Sequence, residues 1–222
     1  AIVVISAHWQ RGVPVRVGRQ ERTQLIYDFG GFPEEMYRLT YPAPGAPTLA
    51  DDIVRRLGES EIPARAEVRG LDHGAWVPLR LMYPEARTPV LQVSLPAGMA
   101  PKGLFALGRA LRPLREQGVL ILGSGGVVHN LRMLSWNAQH GPAEPWALAF
   151  DEWVQARLSA GDHEGLFEYA KAPHARYAVP TTEHFDPLLV TLGAAYDAER
   201  AQVLHEGFEY GTLSMRTFAF AG

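Results

Sequence analysis

The stretch AIVVISAHW, residues 1–9, decides how this chain is organised. Ile2 to Ala7 reads as an apolar run of β-branched character, the mark of a strand covered on both faces. It leads straight into His8. A second buried strand, Val119 to Leu122, opens VLILGSGGVVHN and delivers His129 a few residues past its end. In open α/β sheets, ligands bind just beyond the carboxyl ends of the strands, so both histidines fall where chemistry is placed. A strand buried on both faces also needs a parallel neighbour on each side, reached by long crossovers. The expectation is that an upstream strand–helix unit contributes to them.

Outward from these strands, further elements alternate. Val13 to Val17, Gln24 to Tyr27, Arg65 to Val68 and TPVLQVSL (88–95) read as strands or extended pieces. Thr48 to Leu57 reads as an amphipathic helix capped by Thr48. Pro101 to Gln117 reads as a helix with proline near its start and Gly118 just past its end. Glu144 to Leu158 and Gly165 to Ala170 are further helices, and His184 lies in the first turn of another, TTEHFDPLLVTLGAA. Two strands, about Val203 to Glu209 and Thr212 to Phe220, meet at Tyr210-Gly211. This alternation predicts an α/β fold with a mainly parallel central sheet flanked by helices, a three-layer sandwich in one domain. The aromatic, Gly/Pro-rich segment YDFGGFPEEMYRLTYPAPGAP, with a short helix begun by Pro33, predicts a long ordered loop of the kind that walls an active site.

Composition removes several classes of function. With 222 residues, 47% of them hydrophobic, the chain can bury a sizeable core. A net charge of -3 provides no footprint for nucleic acid or an acidic membrane. There is no cysteine, so any metal must be held by His, Asp or Glu. No long apolar segment suggests a membrane span and no cleavable signal is visible, so the expectation is a cytoplasmic protein. Position 1 is Ala, and the chain opens inside a core strand. The domain expected over 1–222 therefore lacks an N-terminal strand–helix segment.

Four histidines carry the candidate chemistry. His8 follows the small residues Ser6 and Ala7, which leave room for an ion. His129 follows a Gly-rich turn that lacks the Lys-Ser/Thr of a phosphate loop and does not fit GxGxxG. That turn is expected to let the backbone pass close to a substrate, with Asn130 placed to orient the ring. His73 stands in LDHGAW, and His184 follows Glu183. Neutral imidazole is the commonest metal ligand, and several at one mouth would make a mononuclear centre. His140, His163, His174 and His205 read as ordinary loop or surface residues, and Asp51-Asp52 and Glu34-Glu35 as solvated helix faces. No GxSxG or HExxH motif is present.

Seven blocks then fall in a familiar order: SAHW (6–9), YDFGGFP (27–33), YPAPG (41–45), LDHGAWVPLRLMYP (71–84), GSGGVVHNLR (123–132), EHFDPLL (183–189) and YGTLSMR (210–216). Together they resemble the DODA-type branch of the class III extradiol ring-cleavage dioxygenases, the LigB superfamily, over essentially the whole chain. The resemblance implies that His8 and His184 are metal ligands and that His129 does acid/base work, with a place on the metal as its alternative. It implies that His73 is a second active-site histidine beside the substrate. The family's remaining ligand comes from an HGSP-like motif upstream of SAHW, which this chain does not contain.

The expected function is therefore a non-haem Fe(II) dioxygenase that opens a catechol-type ring, DOPA-like on the branch's label, with O₂. Tyr27, Phe29, Phe32 and Trp76 are expected to wall the substrate pocket. The rival readings are a zinc hydrolase using the same histidines and a non-catalytic binding module on the same fold. Zn(II) is also the ion expected as an occupant of the isolated protein. Small-molecule substrate and O₂ are the expected partners, with neither nucleic acid nor membrane, and the oligomeric state is left open.

Overall fold

The opening apolar run forms β1, Ile2–Arg11, in a computed structural model that describes every residue except Ala138, His140 and Gly222. The reading of His140 lies outside the described residues. The chain continues through β2 (Val15–Gly18), a long loop over 19–46 and α1 (Pro47–Glu59), then β3 (Ala64–Glu67) and α2 (His73–Met82). Next come β4 (Val90–Pro96), α3 (Pro101–Leu111) and β5 (Leu120–Ser124). Helices α4 (Pro145–Ala160), α5 (His163–Phe167), α6 (Ala175–Ala178) and α7 (Asp186–Ala194) follow. Short strands β6 (Ala201–His205), β7 (Phe208–Glu209), β8 (Leu213–Ser214) and β9 (Thr217–Phe220) end the described chain.

Five strands make the central sheet in the order β3-β2-β4-β1-β5. β1 runs parallel to both neighbours, with Ile2 opposite Val90 on one side and Leu120 on the other. β2 and β3 pair parallel with each other, and β2 meets β4 antiparallel through Val17 and Val93. Both neighbours of β1 thus come from downstream segments, so the expected upstream strand is neither of them. Side chains of β1 alternate between two cores, as a period of two requires. Val3 and Ile5 join the larger one, with α1, α3, α4 and α7, while Ile2 and Val4 join the smaller one under α2. Each fully buried Val or Ile contributes on the order of 1.5–3 kcal/mol relative to exposure, which is why this run cannot lie anywhere but mid-sheet.

Several local expectations are corrected. β5 is not buried on both faces: it ends the sheet order, and Leu120 is 38% exposed. Thr48 does not cap α1, which starts at Pro47 after Ala46; proline fits there because a first-turn N–H has no helical partner. Gln24 to Tyr27 makes only an isolated bridge, Leu25 to Leu71, and the short helix after Pro33 is a 3-10 turn, Glu34–Arg38. The helix from Pro101 tightens into a 3-10 turn at Arg112–Gln117 before Gly118, in left-handed conformation, ends it. The closing hairpin splits into two short pairs, β6 with β9 and β7 with β8, around left-handed Tyr210 and Gly211.

Candidate metal and ring-cleavage site

Between Ile5 and Gln10, five steps along β1 are matched by only two along β4, Val93 to Leu95. The surplus residues arch away from the ladder, as bulges next to active sites do. Ser6 and His8 lie on this arch. The Ser6 hydroxyl donates to Asp72 Oδ1 at 2.7 Å and accepts the His8 backbone N–H at 3.2 Å. Asp72 is fully buried and also accepts from Gln92 Nε2 at 2.8 Å, Arg69 at 3.1 Å and the Ala75 N–H at 3.2 Å, the last of these capping α2. Its role is therefore to lock the arched middle of β1 to the start of α2. The next residue, His73, opens that helix with its ring centroid 3.9 Å from that of His8. Gly74 is required here because a Cβ would come 2.8 Å from His8 Cδ2.

The other pair arrives by a different route. After β5, Gly125 lies so close to the His184 carbonyl that a Cβ would collide with backbone, and the Gly126 N–H donates to that carbonyl at 2.7 Å. The Gly-rich turn thus serves close passage of another chain segment. His184 precedes α7 instead of lying in its first turn, because Asp186 is the first helical residue. His129 stacks on His184, with centroids 3.5 Å apart and planes 5° from parallel. Asn130 does not orient the His129 ring; its amide donates to the Tyr177 carbonyl and its oxygen accepts from the Arg132 N–H. The YGTLSMR segment is structural: Ser214 and Arg216 bind buried Asp151 of α4, and the Ser214 N–H donates to the Val128 carbonyl, next to His129.

All four predicted histidines therefore meet, from four separate segments. His8 and His184 stand edge to face with centroids 5.2 Å apart. Two imidazoles that share one ion at about 2.1 Å and a near-tetrahedral angle have centroids about 5 Å apart, so the spacing fits a common metal. The His184 Nδ1 faces Glu183 Oε1 at 3.3 Å, which leaves Nε2 free. Burial, then the charges of His129 and His8, push the His184 imidazole down to about 4. Burial and the nearby His73 lower that of His8, and burial and His8 lower that of His129. Neutral imidazole is the form a metal binds, so the donor set suits a cation.

One residue of the site escaped the sequence reading. Asp28 accepts from the backbone N–H of His73 at 3.0 Å and pairs with its Nδ1 at 2.9 Å. Ligand atoms of His8, Asp28 and His73 lie within 4.8 Å of one another. Burial would raise the Asp28 carboxyl, but the bonds from His73 outweigh it and hold it below the ordinary range. The signal available was its place within YDFGGFP, between two aromatics assigned to the pocket. Of those aromatics, Phe29 packs edge to face on His73 at 5.7 Å, with Phe32 at its outer side, 56% exposed. Tyr27 anchors the loop by donating to the Leu39 carbonyl at 2.6 Å. Trp76 is fully buried and donates to the Ile26 carbonyl, so it backs the wall rather than forming its surface.

No helix among the described residues is long and apolar enough to cross a membrane. The chain matches over residues 1–221 the family described as the catalytic LigB subunit of aromatic ring-opening dioxygenase. It is 43% identical to the 4,5-DOPA dioxygenase extradiol of Beta vulgaris, across 99% of this chain and 82% of that protein. Identity to the 4,5-DOPA dioxygenase extradiol of Escherichia coli K12 is 41%, across 97% and 80%. A crystal structure of an uncharacterized Escherichia coli K12 protein superposes with a TM-score of 0.83 at 38% identity, across 98% and 84% of the two chains. Fold, ordered motifs and near full-length identity agree, and the chain belongs to the DODA-type branch of the LigB extradiol ring-opening dioxygenases.

Proposed function

We propose that this dioxygenase opens a catechol whose ring carries a DOPA-like side group, with Fe(II) as its working ion and Zn(II) as an inactive occupant of the same ligands. The observation that carries this reading is the convergence of four imidazoles, three of them held below the ordinary histidine value. His8 and His184 would hold the ion. Bound ferrous iron would supply an anchor for both catechol oxygens and a site where O₂ is activated beside them.

The protein's own part is proton handling and exclusion of water. His129 would accept a catechol proton on its imidazole and return it to the opened product, a task suited to a ring that is neutral before the substrate binds. Its face-to-face stack on His184 supports a place off the metal, beside the ligand that His184 would be. His73 would hold the substrate oxygen, and Phe29 and Phe32 would cover the ring. The Beta vulgaris and Escherichia coli relatives carry the name 4,5-DOPA dioxygenase extradiol, which supports a DOPA-like substrate.

The test is O₂ uptake dependent on L-DOPA and on simpler catechols, after loading with Fe(II) or with Zn(II). The expected result is uptake with iron alone, greatest with L-DOPA. His129→Ala should lower turnover roughly 10²–10⁴-fold, the scale of a lost general acid/base, while the bound ion survives. Loss of metal equal to that in His8→Ala would instead make His129 a ligand. Ester hydrolysis under Zn(II) without O₂ uptake under Fe(II) would overturn the assignment of iron.

A further inference from the structure

From the contacts of Asp28, and resting on the role given above to His73, we infer that Asp28 is a positioning residue that sets which nitrogen of His73 meets the substrate. A single carboxylate oxygen, Oδ1, takes both the backbone N–H and Nδ1 of the same residue, at 3.0 and 2.9 Å. An ionised carboxylate can only accept, so Nδ1 must carry the ring proton. In the neutral ring Nε2 is then a bare lone pair, on a ring centred 3.9 Å from that of His8. His73 in this state accepts a hydrogen bond from a substrate hydroxyl and does not donate one.

The segment leading into the carboxylate is itself held in place. Upstream, the Ile26 N–H donates to the Leu71 carbonyl at 2.8 Å, the Leu71 N–H donates to the Gln24 carbonyl at 2.7 Å, and Trp76 donates to the Ile26 carbonyl at 3.1 Å. Immediately before Asp28, Tyr27 is tied to the Leu39 carbonyl. The backbone N–H of His73, at the first position of α2, has no helical partner of its own, so Asp28 fixes main chain and ring together. A loop braced in this way holds a catalytic group to the tolerance that chemistry needs.

The Asp28 carboxylate also lies near enough to His8 for a shared cation. Its two bonds to His73 favour the orienting role, since an ion on His73 Nδ1 would displace the ring proton that Asp28 accepts. The two roles separate experimentally. In the zinc-loaded, ¹⁵N-labelled chain, long-range ¹⁵N–¹H correlations report the protonated nitrogen of His73. The expected pattern is Nδ1–H in the natural sequence and in Asp28→Asn, whose amide oxygen can still accept both bonds. In Asp28→Ala, and in Asp28→Glu, where the oxygen is displaced, the Nε2–H form should appear.

Turnover in Asp28→Ala should fall about 10–100-fold, the usual scale for a partner that orients an active-site group. It should fall no further in His73→Ala/Asp28→Ala than in His73→Ala alone, and zinc content should be unchanged throughout. An unaltered His73 pattern in both Asp28→Ala and Asp28→Glu overturns the inference, as does loss of zinc in Asp28→Asn. Full turnover in His73→Ala, with the tautomer still shifting in Asp28→Ala, removes the role of His73 instead and takes Asp28 out of the reaction.

Discussion

His8 and His73 are held by side chains, whereas His129 and His184 are held by backbone. The first pair is locked through Ser6, Asp72, Gln92, Arg69 and Asp28, a chain of polar groups centred on one fully buried carboxylate. The second relies on a glycine turn pressed against the His184 carbonyl, on the His129 N–H donating to the Ala178 carbonyl, and on ring stacking. A side-chain network fails when a partner is deleted, because it leaves buried polar groups unpaired. A backbone crossing fails when bulk is added.

The largest expected effect is on the networked half. Asp72→Ala removes the acceptor for Ser6, Gln92 and Arg69 at once and leaves a nearly buried guanidinium uncompensated. A broken buried pair of this kind costs about 3–5 kcal/mol. Urea melts should show that loss, together with weaker metal binding, and a loss under 1 kcal/mol would mean that the network does not hold the site. On the backbone half, Gly125→Ala should cost about 1–3 kcal/mol, as overpacking does, and should lower turnover by displacing His184. Gly126→Ala is its control, since a Cβ there meets nothing nearer than 3.5 Å. Equal damage from both would show that the turn matters for flexibility, not for clearance.

A pH effect of roughly 3 kcal/mol sharpens the contrast further. The unfolded chain binds a proton on His184 near 6.5, and the folded chain refuses it until about 4. The unfolded state therefore binds more protons between these values, and stability falls as pH drops from 6.5 towards 4, while above 6.5 it is fully present. His8 and His129 are shifted in the same direction and add to the slope. In chelator-treated protein, His184→Gln should flatten this dependence, and an unchanged slope would place its origin elsewhere. The smallest effect is expected for Tyr27→Phe, which loses one hydrogen bond to Leu39 and about 1 kcal/mol. It should raise KM more than it lowers kcat if the loop only covers the substrate.

Much of the fold was readable because burial writes itself into composition. Ile2 to Ala7 could only be a central strand, and Pro101 and Gly118 bracketed their helix. The errors have a common origin. Val119 to Leu122 is as apolar as a central strand, yet β5 ends the sheet, because strand order depends on pairings that no local run encodes. Thr48 has the chemistry of a cap, but Pro47 starts the helix one residue earlier. Within the site, the four histidines were found from strand ends and from ordered motifs. Asp28 was not, because a carboxylate in a loop looks solvated until its partner, 45 residues away, is brought to it.

By itself the sequence determined that this is an α/β domain without thiolate chemistry and singled out four histidines as its candidate site. Those are properties of residue type and local period, which do not depend on where other segments go. Only the tertiary structure decided that Gly125 makes room for His184, that Asp72 braces His8 from behind, and that His73 answers to Asp28. Each of these pairs segments far apart along the chain, and their contact exists only once the two cores on either side of β1 have closed.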